Sequence, residues 1–425
     1  MSILAVPENS ITEIFRLLPL IHQVQLARSC WRMEGIFEGA SLLMHRTLDF
    51  AEFAGMSTED MKFFFRMSGK NVKQLKGVIQ PNQLECFLDL VGSCCENVRS
   101  MLVDLSFLTP RQWSKALQNK NQLMELRMRQ CNVSNMLPLT QLSGLKHLDL
   151  TNNEQLVDIH HLRMPVSIET INLTGCISLD DFHTTKFCKA LPSLKVLNLT
   201  NVWLSTHAWQ LMVADCPALE ELTFTYHSVN YASIAKLPSL KKLTINVHRS
   251  IYCLGHDFLT ALLRHKGNQL EHLEIQVRRN WKLTWNIEVA HLISQLSALC
   301  SLSNGHNYHM HVYGFKKFGQ LQQRLNISDC PQISDHTITF LVNACPLLHE
   351  IVLEGCLSVT PNLLTLISDE INIEKRNGEI TRKLPVKLYA YYTAINEKSL
   401  HNFKYPTTSN VIRVILKKKT AHYPA

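Results

Sequence analysis

Apolar positions along this chain recur in one short phrase. Leucine or an equivalent returns as L-x-x-L-x-L with starts at Leu123, Leu145, Ile168, Leu194, Leu219, Leu240 and Leu270, spaced by 22, 23, 26, 25, 21 and 30 residues. A longer form of it reads Leu191-Pro-Ser-Leu-Lys-Val-Leu-Asn-Leu, Cys216-Pro-Ala-Leu-Glu-Glu-Leu-Thr-Phe, Leu237-Pro-Ser-Leu-Lys-Lys-Leu-Thr-Ile and Cys345-Pro-Leu-Leu-His-Glu-Ile-Val-Leu. The alternation L-x-L turns one side of a short strand inward, and a regular period sets successive strands side by side as a parallel sheet. Three positions after the last apolar residue stand Cys131, Asn153, Cys176, Cys330 and Cys356. A small polar side chain turning inward there meets backbone groups freed at the strand end. After the turns, Leu204-Ser205, Ile333-Ser334-Asp335 and Val359-Thr360 place capping residues before apolar helical stretches. A unit this short cannot bury its apolar side alone, so the pattern predicts a stacked α/β solenoid.

Weaker copies at Val72-x-x-Leu75 and Val98-x-x-Met101-x-Val103 extend the array backwards, and Leu348-x-x-Ile351-x-Leu353 closes its clear part. Val386-Lys-Leu-Tyr-Ala-Tyr and Val411 to Leu416 read as strands of a degenerate end. The phrase and its Cys/Asn position resemble the leucine-rich-repeat family, in its cysteine-containing subclass. That resemblance implies a curved solenoid with a parallel sheet on the concave face and helices on the convex face. The expected division is a helical module at 1–44, the solenoid at 45–370 with an irregular stretch at 276–324, and a terminal cap at 371–425.

The first forty residues carry a different pattern. Ile11, Ile14, Phe15 and Leu18 recur at helical spacing, and Ser10 with Glu13 reads as a capping box at the start of that helix. Pro19 interrupts it, and Val24, Ala27 and Trp31 begin a second face. Two or three short helices make too small a core to stand alone, so they must pack on the solenoid, on a partner, or on both. The run Val6-Pro7-Glu8, Ile14-Phe15, Leu18-Pro19-Leu20 and Cys30 resembles the F-box. This module docks its proteins on the adaptor subunit of SCF ubiquitin ligases. The chain departs from the family pattern at His22-Gln23, at Ser29, and at Met33, where the family has Trp and this chain has Trp31 two positions earlier. The resemblance implies adaptor contacts through Pro7, Glu8, Ile11, Ile14, Phe15, Leu18, Pro19, Leu20, Val24 and Cys30. It also implies a non-catalytic receptor that holds a protein substrate near ubiquitin carried by the cullin and RING subunits, leading to its degradation. The alternative is a repeat scaffold whose N-terminal helices only seal the first repeat.

Composition narrows the field. Of 425 residues 46% are hydrophobic and 18% charged, no stretch approaches the roughly 20 apolar residues of a membrane span, and the N-terminus lacks the basic start of a secretory signal. Thirteen cysteines without framework spacing fit a reducing compartment, so a cytoplasmic or nuclear location is expected, and the sequons at Asn172 and Asn198 read as by-products of the repeat. No phosphate loop, nucleophile elbow or metal-ligand motif occurs, so no enzyme activity, cofactor, metal or small-molecule substrate is expected. The outward strand positions give candidate substrate contacts: a basic patch at Arg127 and Arg129, then His272 and Glu274, and an acidic end at Glu350 and Glu354. A second candidate is the aromatic stretch holding Tyr308, Tyr313 and Phe315 beside His306, His309 and His311. The net charge of +8 is not spread along the sheet positions, so neither nucleic acid nor a membrane surface is an expected partner.

Overall fold

The structure is a computed structural model that describes residues 6–134, 136–157, 165–227, 229–247, 254–277, 287–305, 323–401 and 410–416. It forms two compact units, residues 1–204 and 205–425. The stretches holding Trp281, Trp285, His306, Tyr308, His309, His311, Tyr313, Phe315 and Phe318 lie outside the described residues.

In the first unit three helices, α1 (Glu8–Leu17), α2 (Leu20–Ala27) and α3 (Trp31–Met44), precede seven strands. These are β1 (Thr47–Asp49), β2 (Gln74–Gly77), β3 (Ser100–Asp104), β4 (Glu125–Arg129), β5 (His147–Asp149), β6 (Thr170–Asn172) and β7 (Val196–Leu199). Each strand pairs in parallel with the next, and the apolar residue of the repeat stacks in register: Leu48 on Leu75, then Met101, Leu126, Leu148, Ile171 and Leu197. All seven of these side chains are buried. Between the strands lie α4 (Thr58–Ser68), α5 (Leu84–Cys94), α6 (Pro110–Leu117) and α7 (Asp181–Ala190). Strand β1 has a single inward apolar residue, and the sequence pattern did not reach it.

The second unit repeats the arrangement with β8 (Glu221–Tyr226), β9 (Lys242–Val247), β10 (His272–Val277), β11 (Ser301–Asn304), β12 (Arg324–Asn326), β13 (Glu350–Val352), β14 (Val386–Tyr389) and β15 (Ile412–Ile415). The stacked row runs Leu222, Leu243, Leu273, Leu302, Leu325, Ile351, Leu388 and Val414. The helices here are α8 (Thr206–Asp215), α9 (His256–Lys266), α10 (Ile287–Ser294), α11 (Asp335–Ala344), α12 (Asn362–Asn377) and α13 (Glu397–His401). Within the stretch expected to be irregular, α10 and β11 form a repeat of their own. Its signature, Leu299-Cys-Ser-Leu302, lacks the final apolar residue and so escapes the template. The architecture is a leucine-rich-repeat solenoid.

A row of left-handed residues ends the strands. Leu105, Gln130, Asn152, Gly175, Asn201, Asp329, Gly355 and Tyr392 all have positive φ, and each stands four positions after the stacked apolar residue of its repeat. The chain must turn sharply inward there, which favours Gly and Asn. At Gly175 a Cβ would collide with Asn152 Oδ1, and at Gly355 with Asp329 Oδ1, the same position of the preceding repeat.

The inward Cys/Asn position closes the strand ends that carry it. Asn153, fully buried, accepts from the backbone N–H of Cys131 (3.1 Å) and Val133 (2.9 Å) and donates to the carbonyls of Met128 (2.6 Å) and Leu150 (2.8 Å). Cysteine offers only its thiol in that role: Cys176 Sγ donates to Leu150 O (3.1 Å), Cys356 Sγ to Ile327 O (3.1 Å), and Cys131 Sγ is shared between Arg129 O (3.2 Å) and Val103 O (3.5 Å). Ser205 caps α8 by accepting from Ala208 N. The capping box at Ser10 is not formed. Pro7 has an extended ψ and its carbonyl accepts from the N–H of Ser10 and Ile11, so α1 begins at Glu8, Ser10 lies inside it, and Glu13 pairs with Arg16 (2.6 Å).

Candidate functional site

The N-terminal helices have two faces. Ile11 and Phe15 of α1, Leu20, Val24 and Ala27 of α2, and Met33, Ile36 and Phe37 of α3 are buried. Their core continues into the first repeat, since the Phe37 ring packs on Phe15 (5.4 Å between centroids) and on Phe64 of α4 (6.3 Å), and Phe64 on Phe53 (5.4 Å). At the centre lies His45, the residue after α3. Its ring stands 5.2 Å from Phe37 and 4.9 Å from Phe64. Gln23 donates through Nε2 to Leu18 O (2.8 Å), which leaves its Oε1 to accept from His45 Nε2 (2.9 Å). His45 Nδ1 then accepts from the Ser68 hydroxyl (3.1 Å). Burial pushes the His45 pKa down from 6.5 to about 4. Gln23, a departure from the F-box pattern, therefore serves to hold a neutral histidine between α2 and α4.

The docking residues expected from the sequence divide between the two faces. Ile11, Phe15, Leu20 and Val24 are buried in the chain's own core. Pro7, Glu8, Ile14 and Pro19 are exposed, and Leu18 and Cys30 are half-buried. The outward face adds side chains outside the expected docking set. Leu17 and Trp31 are each 84% exposed, and Leu42 and Leu43 are exposed at the end of α3. Because Met33 fills the core at the position where the F-box pattern has Trp, Trp31 is free to point outward. These four exposed large apolar side chains on one short helical module make it a candidate interaction surface.

The outer face of the sheet is the second candidate. Arg127 makes a bidentate pair with Asp104 (3.1 and 2.8 Å), and Arg129 bonds Asp149 Oδ2 (2.8 and 2.6 Å). The expected basic patch is therefore neutralised by neighbouring strands, because the parallel sheet sets Asp104 and Asp149 diagonally, two positions out of register, from Arg127 and Arg129. The expected acidic end is likewise compensated. Glu350 bonds Lys387 (2.6 Å), with Arg324 3.9 Å from its other oxygen. Asn172 and Asn198, the sequon residues, each accept through Oδ1 from the N–H and hydroxyl of the threonine two positions on (Thr174 and Thr200). Asp149–Thr151 and Asn326–Ser328 repeat the same turn, so the sequons are strand-end turns by construction.

Across β8 to β13 the face dips into a groove of about 810 Å³ that includes His272, Glu274, Ser301, Arg324 and Glu350. His272, Glu274 and Glu350 thus come together, whereas Arg127 and Arg129 belong to the other unit. Glu354 follows β13, outside the residues that line the groove. Burial pushes the thiols of Cys131, Cys176 and Cys356 up to about 12, which keeps them protonated at neutral pH. Buried cations serve the fold as well. Lys120 donates to the carbonyls of Val91, Gly92 and Gln118, closing the end of α5. Among the described residues no helix is long and apolar enough to cross a membrane.

No family model and no curated protein matches this chain. Similar solved structures include an internalin from Listeria monocytogenes, 16% identical with a TM-score of 0.43, covering 87% of this chain and 93% of that one. Another is the complex of Rad7 and Elc1 from yeast, 17% identical with a TM-score of 0.43, covering 83% of this chain and 89% of that one.

Proposed function

We propose that this chain is a substrate-recognition subunit of an SCF-type ubiquitin ligase. Its outward N-terminal face binds the adaptor, and its repeats hold a protein substrate. The observation that carries this reading is the two-faced helical module: one side is built into the repeat core, and the other presents Leu17, Trp31 and Ile14 to solvent with Pro7 and Pro19 at the helix starts. A structural cap alone needs only the inner side. On this reading the chain performs no covalent step and acts by holding two proteins close.

The test is retention of purified adaptor subunit by the full chain, compared with Leu17→Asp/Trp31→Glu. Both positions are so exposed that the double variant keeps its fold, and it should lose adaptor binding. Undiminished retention by that variant, or no retention by the wild type, would leave the alternative of an adaptor-independent repeat scaffold. Deleting residues 1–44 is a poor substitute for this experiment, because it bares Phe53, Phe64 and the His45 pocket.

A further inference from the structure

The groove on β8 to β13 has a charge pattern that its own strands leave unfinished. At its start, Lys241 pairs with Glu220 (3.3 Å) and Lys242 with Glu221 (2.8 Å). At its end Lys387 holds Glu350. The middle is different: Glu271, just before β10, and Glu274 on it make no ion pair among the described residues, since Lys241 beside Glu271 is held by Glu220, and Glu274 meets the amide of Gln276 (3.1 Å). Its register neighbours are Thr244 on β9 and Ser303 on β11. The next strand thus contributes only short side chains, Ser301 and Ser303, and these form the floor. One strand further on is Arg324, half-exposed and only loosely attached to Glu350 at 3.9 Å. Two carboxylates and a guanidinium therefore face each other across a serine-lined gap of two strand spacings, roughly 9.5 Å.

That spacing matches a particular occupant. An extended polyproline-type segment advances about 3.1 Å per residue with three residues per turn, so side chains three apart lie on one face about 9.3 Å apart. We infer that the groove seats an extended segment of a protein partner that carries a Lys or Arg directed at Glu271 and Glu274 and an acidic residue three positions away directed at Arg324. This deepens the receptor reading by naming the chemistry of the substrate segment. Matched charges on a half-exposed face set specificity and register more than raw affinity, so selectivity is the quantity to measure.

The probe is a phage-displayed random peptide library selected on the full-length protein, on Glu271→Gln/Glu274→Gln, and on Arg324→Glu. The wild type should enrich peptides with a basic and an acidic residue three apart. The double variant should lose the basic preference, with a selected peptide binding about tenfold more weakly, and Arg324→Glu should replace the acidic preference by a basic one. Enrichment of peptides without a basic residue, an unchanged preference on the double variant, or no enrichment on folded wild type would each overturn the inference. Adaptor retention is scored on the same three proteins. If it persists while selection fails, the groove assignment alone is wrong. If selection succeeds without adaptor binding, the ligase reading is wrong and the groove stands.

Discussion

His45 makes the attachment of the N-terminal helices sensitive to acid, and the size of the effect can be worked out. In the unfolded chain its imidazole takes up a proton as pH falls through 6.5, whereas in the fold it stays neutral down to about 4. Between those values the unfolded state binds more protons, so stability falls as pH falls. The gap of about 2.5 units corresponds to about 3 kcal/mol at pH 4, with essentially no cost above pH 7. The geometry gives the reason. His45 is 3% exposed, is enclosed by Phe37 and Phe64, and uses its Nε2 proton on Gln23 and its Nδ1 lone pair on Ser68. Hydrogen-exchange protection in peptides from α1 to α4, corrected for intrinsic rate, should drop by about two orders of magnitude between about pH 7 and about pH 4. His45→Gln, neutral throughout, should start lower but show a much shallower pH dependence. An equal slope in wild type and variant would refute the assignment and place the acid sensitivity on other groups.

Three further outcomes follow from the geometry. Gly35 and Gly39 lie on the open side of α3, where an added Cβ meets nothing within 4 Å, so Gly35→Ala and Gly39→Ala should each raise stability by about 0.5–1 kcal/mol in urea titrations. Asn153→Ala strands two buried N–H groups, takes one donor each from the carbonyls of Met128 and Leu150, and should cost about 2–4 kcal/mol; Asn153→Cys, which can still donate to one carbonyl, should cost measurably less. Leu105 is an exposed β-carbon residue with φ 52, so Leu105→Asn should raise the thermal midpoint of the first unit, by roughly 1 kcal/mol of stability.

The repeat was legible because its physics is local in sequence. An inward apolar residue every twenty-odd positions is a requirement of each strand, several strand ends add Cys or Asn, and Leu126, Leu148, Ile171 and their successors stack as that pattern demands. Strands β1 and β11 escaped because each meets the requirement with fewer apolar residues and borrows the rest from its neighbours. The candidate site was legible only in part. Helical spacing put Ile11, Ile14, Phe15 and Leu18 on one apolar stripe, but a stripe does not say which of its edges meets the first repeat. Packing on Phe37 and Phe64 decided that, burying Ile11 and Phe15 while leaving Ile14 and Leu17 toward solvent.

Sequence alone therefore determined the period, the inward rows, the strand-end chemistry and the presence of a separate helical start. The tertiary structure decided which charges remain to be answered. Arg127 and Arg129 look basic along the chain, yet in a parallel sheet they lie against Asp104 and Asp149, residues 23 and 20 positions away. Glu271 and Glu274 look no more exceptional than Glu220 and Glu221. They stand out only because Glu274 is flanked by Thr244 and Ser303, while Lys241, beside Glu271, is paired with Glu220. Net local charge is a property of neighbours across strands, and one-dimensional order does not contain it.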